Sequence, residues 1–189
     1  AVKDALFQVV SFISTSGFYV CDYYSWPSFA ITILFLLLFV GGCSFSTSGS
    51  LKIIRIAILF KLIKRGFFKQ IHPRMVKAVM LNGKPVSTFV ASSVTTHVLL
   101  FLGIFMLGCL LLSFNNLSME TTITSALGLF SNTGVALNGG VENFGYFGMF
   151  NSFSQVVMTF LMIAGRLEMY AIVILFTKSF WKHNRANTI

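Results

Sequence analysis

Two short stretches carry residue types and a spacing suited to one kind of chemistry: Ser14-Thr15-Ser16-Gly17-Phe18 and Ser131-Asn132-Thr133-Gly134-Val135. Each sets hydroxyl or amide residues ahead of a glycine, just after a short apolar segment. Taking a cation out of water requires several oxygen dipoles to replace its hydration shell at once, and rings of backbone carbonyls can do so. Carbonyls converge on an axis only where side chains turn away and the backbone adopts dihedrals that Gly tolerates. No conventional ligand residue is needed. One such stretch alone reads more simply as a helix-terminating turn, so the weight lies in there being two.

Two further features sit where ordinary helix would be cheaper. Gly41-Gly42-Cys43-Ser44-Phe45-Ser46-Thr47-Ser48-Gly49-Ser50 interrupts an apolar run, and Gly165-Arg166-Leu167-Glu168 interrupts another. Non-helical backbone at membrane depth is tolerated only when buried in protein or lining a water-filled cavity. An arginine within a span costs about 2.5–3.5 kcal/mol on insertion scales and so faces protein or water. Arg166 reads either as a structural ion pair or as a functional cation. Glu168, two residues on, does not face it on a helix. His97, after Ser92-Ser93-Val94-Thr95-Thr96, reads as a hydrogen-bonded packing residue rather than a proton site. Gly103 and Gly108 read as places of close helix contact. No nucleophile–base pair, phosphate loop or metal-ligand spacing occurs, so enzyme chemistry is not expected. Cys21, Cys43 and Cys109 are odd in number and form no metal or disulfide pattern.

The elements that must hold these residues are those of an all-α membrane protein. Hydrophobic residues make up 56% of the chain and charged residues only 10%, too few for a soluble shell. Residues 3–13 predict a helix of about 16 Å, roughly half a bilayer core. The run Phe29–Val40 is also short. Together with the Gly/Ser loop and the helical periodicity from Leu51 towards Lys69, it predicts one crossing made of two half-helices. Asn82-Gly83 predicts a small hairpin turn. Residues 86–114 predict a full span, 119–130 a second short helix, and 152–181 a last, interrupted span.

The net charge of +9 is concentrated, because no acidic residue lies between Tyr23 and Met119 while nine Lys and Arg residues do. A basic loop between spans marks the cytoplasmic side rather than a nucleic-acid site. Three crossings then place both short helices on the external face and the C-terminus inside. No signal peptide is read at Ala1–Asp4, and without an initiating Met the chain is expected to begin inside a larger polypeptide. Aligning Gly17 with Gly134, 117 residues apart, repeats the order short helix, hydroxyl-rich strand, Gly, polar loop, span.

Ala5-Leu6-Phe7-Gln8-Val9-Val10-Ser11 leading into Ser14-Thr15-Ser16-Gly17-Phe18 resembles the third pore loop of the TrkH/TrkG family of potassium transporters. So do Gly41-Gly42-Cys43, then Ser48-Gly49-Ser50-Leu51-Lys52-Ile53-Ile54-Arg55, Gly165-Arg166-Leu167-Glu168, Leu175-Phe176-Thr177 and Phe180-Trp181. The resemblance covers nearly the whole chain. The fourth-loop sequence Asn-Thr-Gly-Val and the serine-rich loop with Phe45 depart from the family's commoner forms.

The resemblance implies the last part of a four-repeat, pseudo-symmetric cation pore. Residues 1–70 would be pore helix, filter and broken second span of repeat three. Residues 71–85 would be a cytoplasmic linker, and 86–189 the span, pore helix, filter and last span of repeat four. Potassium is then the transported substrate, with no cofactor, held at Thr15, Ser16, Asn132 and Thr133 within a filter that includes Ser14, Gly17, Phe18, Gly134 and Val135. Gly41, Gly42, Ser48, Gly49 and Arg166 are the implied gate. Implied partners are the earlier repeats of the same protein, a second copy in a homodimer, a peripheral nucleotide-binding Trk regulatory subunit and membrane lipid, in a bacterial inner membrane. No nucleic-acid partner is expected. Two alternatives stay open on sequence: a secondary transporter of another solute with broken helices, and a non-conducting fragment of a split gene.

Overall fold

In the computed structural model the described residues are 2–43, 46, 48–74, 78–135, 137, 150–167, 169 and 174. They fold into helices α1 (Val2–Ile13), α2 (Ser28–Leu37), α3 (Ile53–Ile71), α4 (Thr88–Leu112), α5 (Met119–Phe130) and α6 (Ser152–Arg166). Two minimal strand pairs join them: β1 (Val40–Gly41) with β2 (Leu51–Lys52), and β3 (Met80–Leu81) with β4 (Lys84–Pro85).

Helix α4 is the longest element. The Ser87 hydroxyl caps it by accepting from the Val90 amide. Its 25 residues, at about 1.5 Å each, exceed the ~30 Å hydrocarbon core. Among the described residues, Thr88–Asn115 is the one stretch long and apolar enough to cross a membrane. Val94, His97, Val98, Phe101, Phe105, Gly108 and Leu112 are its buried stripe, at helical spacing. Leu99, Leu102, Met106, Leu107 and Leu110 are exposed and equally apolar, as suits a lipid or protein environment.

Phe101 is fully buried and joins three elements. Its ring lies 4.6 Å from that of Phe130 at the end of α5 and 6.3 Å from Phe39 after α2, while Phe39 meets Phe105 at 5.8 Å. Helix α6 closes on α4 where Leu161 packs over Gly108; a Cβ there would stand 2.7 Å from Leu161 Cδ2. Gly103 lies on the exposed face of α4, and among the described residues nothing stands within 4 Å of a built Cβ there.

Helices α2 and α3 are separated by a break at the Gly/Ser loop, where composition predicts one, and the break is clasped by strands that composition did not reveal. β1 and β2 pair in parallel, Val40 with Leu51 and Gly41 with Lys52. The Leu51 amide donates to Phe39 O at 3.1 Å, the Ile53 amide to Gly42 O at 3.3 Å, and the Ser50 hydroxyl to Leu38 O at 2.7 Å. Two-residue strands carry no periodicity to read; they form because the ending α2 leaves carbonyls that must find donors. The Asn82-Gly83 turn has φ of 49° and 77° and pairs β3 with β4, and Lys61 Nζ fixes that hairpin to α3 by donating to Met80 O at 2.8 Å. The C-terminal part of the predicted last span, with Glu168, lies outside the described residues.

Phe101→Ala in the full-length protein is expected to destabilise it by about 3–5 kcal/mol. Fluorescence-detected size-exclusion melting should show a clear drop in midpoint; an unchanged midpoint would mean the aromatic junction is not a main support of α5.

Candidate functional site

The two glycine-containing stretches are built by the same local rules. Helix α1 ends as Ser14, Thr15 and Ser16 amides donate to Val10, Phe12 and Ser11 carbonyls at 2.9, 3.2 and 3.1 Å. Helix α5 ends as Ser131, Asn132 and Thr133 amides donate to Leu127, Leu129 and Gly128 carbonyls at 2.8, 3.0 and 3.0 Å. Every partner in the second set stands 117 residues after its counterpart. The hydroxyls repeat too: Ser14 Oγ donates to Ser11 O at 3.3 Å and Ser131 Oγ to Gly128 O at 3.1 Å. Ser14 then meets Ser16 at 3.1 Å, and Ser131 meets Thr133 at 2.8 Å.

Backbone handedness alternates in both. Thr15 and Gly17 have φ of 54° and 74°, Asn132 and Gly134 have 57° and 72°, and the residues between them stay at negative φ. The same alternation in both marks them as one backbone conformation used twice. A β-branched residue at positive φ is rare and strained, so Thr15 is held there by its surroundings. The Thr15 and Thr133 side chains are buried, leaving the main chain as the presented surface.

The last residues of each stretch turn back to the helix. Ser11 Oγ donates to Phe18 O at 2.6 Å. At the matching place Gly128 has no side chain, and the Val135 carbonyl packs where its Cβ would be. The two stretches also meet. A Cβ on Gly17 would overlap the Thr133 carbonyl and stand 3.5 Å from Val135 Cγ2.

Beside them lies the Gly/Ser loop. Gly42 N donates to Ser48 Oγ at 2.8 Å, Ser46 and Ser48 hydroxyls lie 2.7 Å apart, and a Cβ on Gly41 would stand 2.9 Å from Ser48 Oγ. Gly41, Gly42 and Ser48 are thus brought together; Ser44, Phe45 and Thr47 lie outside the described residues. Gly49 touches the backbone of the second stretch, since a Cβ there would be 2.7 Å from Ser131 O and from Asn132 Nδ2. Gly165 of α6 approaches from another side, against Phe130 O and with its built Cβ 2.7 Å from the same Nδ2. Arg166 stands next to that contact, on the exposed end of α6.

Two polar residues had no such weight in the sequence. His97 is buried, and its Nε2 lies 3.0 Å from Arg55 Nη1, 42 residues away on α3. Because guanidinium only donates, Nε2 must be the acceptor of a neutral ring. His97 is therefore a hydrogen-bonded, buried packing residue, as expected, and one of its partners is an arginine on a distant helix. Gln8 in α1 is fully buried with neither amide atom hydrogen-bonded. An amide inside an apolar short helix was the available signal. Among the described residues no cluster of three or more His, Cys, Asp or Glu could hold a metal ion.

The family model described as "TrkH: Cation transport protein" matches residues 1–184. The Trk system potassium uptake protein TrkH of Halomonas elongata is 34% identical over 185 residues, covering 96% of this chain and 37% of the relative. The Escherichia coli K12 protein TrkG of the same system is 32% identical over 178 residues, with 94% and 36% covered. The crystal structure of the potassium transporter TrkH from Vibrio parahaemolyticus superposes with a TM-score of 0.86 at 30% identity, covering 94% of this chain and 37% of that one. The chain thus spans little more than a third of the length of these relatives. With a match across almost all of its residues, the chain belongs to the TrkH family of cation transport proteins, a family of membrane transporters rather than enzymes.

Proposed function

We propose that this chain supplies two filter loops and the gate of a potassium-uptake pore in a bacterial inner membrane. The observation that carries this is the duplicated, alternating-hand backbone at Thr15-Ser16-Gly17 and Asn132-Thr133-Gly134, set edge to edge where Gly17 meets Thr133. Backbone carbonyls there would replace water around a dehydrated ion. The α1 and α5 C-termini aim partial negative charge at the same place. Phe18 and Val135, whose carbonyls turn back, would mark the outer limit of the coordinating stretch. The named activity of the relatives, potassium uptake, agrees with this chemistry.

In this reading residues 1–70 and 86–189 are the third and fourth repeats and 71–85 a cytoplasmic linker. Earlier repeats of the same protein complete the ring, a second copy completes a homodimer, and the basic cytoplasmic face docks a nucleotide-binding regulatory subunit. The loop 41–50 with Arg166 forms the barrier beneath the filter. Its support is that Gly49 and Gly165 converge on the end of the fourth pore helix, beside Arg166.

Gly17→Ser in the full-length protein should lower potassium-over-sodium discrimination. A non-glycine residue at left-handed φ costs roughly 1–2 kcal/mol, enough to shift the balance of filter conformations about tenfold, and the Thr133 carbonyl leaves no room for Cβ. Rubidium uptake competed by potassium and by sodium measures it, and an unchanged ratio would remove Gly17 from the filter. Deleting residues 43–48, or Arg166→Ala, should raise basal rubidium flux into vesicles, with the two changes less than additive because both remove one barrier. Wild-type flux in both would place the gate elsewhere.

A further inference from the structure

Asn132 does something that its counterpart Thr15 does not. Both sit at the left-handed position of their stretch, where Asn is the better tolerated residue. Thr15 is buried, and its neighbours there include its own pore helix. The Asn132 side chain instead occupies the point where two other elements approach. Its Nδ2 lies 2.7 Å from where a Cβ would stand on Gly49 and 2.7 Å from where one would stand on Gly165. At each glycine a main-chain carbonyl stands beside the amide, Ser131 O at Gly49 and Phe130 O at Gly165, and amide and carbonyl together leave no room for a Cβ. Towards its own chain the amide makes a single long contact, Nδ2 to Phe130 O at 3.5 Å, and the same carbonyl bounds Gly165.

We infer that Asn132 is a positioning residue that couples gate to filter: its amide is a wedge between the intramembrane loop at Gly49 and α6 at Gly165. The inference rests on the gate and filter reading above. With the loop in place, the amide is confined from two sides and the backbone at φ 57° is held, and with it the facing of the Asn132 and Thr133 carbonyls. When the loop withdraws, one wall of the wedge is lost and the left-handed turn is free to relax. The coupling runs both ways, because an ion that favours one filter conformation must favour the loop position that goes with it. A side chain that merely lined the ion path would have no reason to meet two glycines on its far side.

The test uses the full-length protein in proteoliposomes, with rubidium uptake and potassium–sodium competition as readouts. Four proteins are compared: wild type, Asn132→Gly, the 43–48 deletion, and the two combined. Asn132→Gly keeps the left-handed backbone available and removes only the wedge. Basal uptake is expected to rise about fivefold or more, the scale of ordinary coupling between sites, while the combination equals the deletion alone. Gly49→Ala pushes on the amide from the loop side with the filter sequence intact. It should raise uptake in the same direction, and it decides the matter if Asn132→Gly does not elute as a folded protein. A raised flux from the deletion with none from Asn132→Gly or Gly49→Ala would overturn the wedge and leave the gate standing. Fully additive effects would also overturn it, since Asn132 would then act on the filter alone. No rise from the deletion itself would remove the gate reading, and the inference with it.

Discussion

A main chain that leaves its helix inside a membrane must find partners for every amide it exposes, and the bilayer offers none. The two glycine-containing stretches meet that demand by folding back on the helices they have just left. Ser14 to Ser16 and Ser131 to Thr133 return their amides to the last turn of α1 and α5, and their serine hydroxyls take up carbonyls of the same turn. Both helices can therefore stop after twelve residues, with Thr15 and Thr133 buried beside their ends.

The repeated backbone does not require repeated side chains. Ser11 bonds the Phe18 carbonyl through its hydroxyl, whereas Gly128 admits the Val135 carbonyl by having nothing in its place. Either solution keeps the returning strand close to its helix. The difference has consequences on the outer side. The first stretch is braced by a hydrogen bond that the second lacks, and the second is the one approached by the Gly/Ser loop and by α6. Support lost from within the second stretch is replaced by neighbours, including Phe101, whose ring packs tilted against Phe130.

Much of this was legible in the residues. Both short helices, the long span, the Asn-Gly hairpin and the broken crossing follow from lengths, apolar runs and turn residues, because membrane depth makes those quantities decisive. The offset between Gly17 and Gly134 holds down to individual hydrogen bonds. What sequence could not supply were contacts between distant residues. Nothing in the spacing tied Arg55 to His97, clasped residues 40–41 to 51–52, or brought Gly49 and Gly165 to one amide. Gly103 and Gly108 look alike in sequence, five residues apart on one helix, and only packing against Leu161 distinguishes them.

Those distant contacts also decide where the loop is held. Its entry is fixed by β1 and its exit by β2, with Ser50 bonded to Leu38 as a second tie. Just beyond the exit, Arg55 binds buried His97 and so references α3 to α4. Lys61 extends the same anchoring to the β3–β4 hairpin. A pull on the far end of α3 is therefore resisted at its start by α4 before it reaches the segment between the clasped ends. Among the described residues of that segment, Gly42, Ser46 and Ser48 hold one another by short bonds to side-chain hydroxyls, and the Ser46 amide donates to Cys43 O. Gly49 meets the backbone after α5, so displacement of this segment acts first on Ser131 and Asn132.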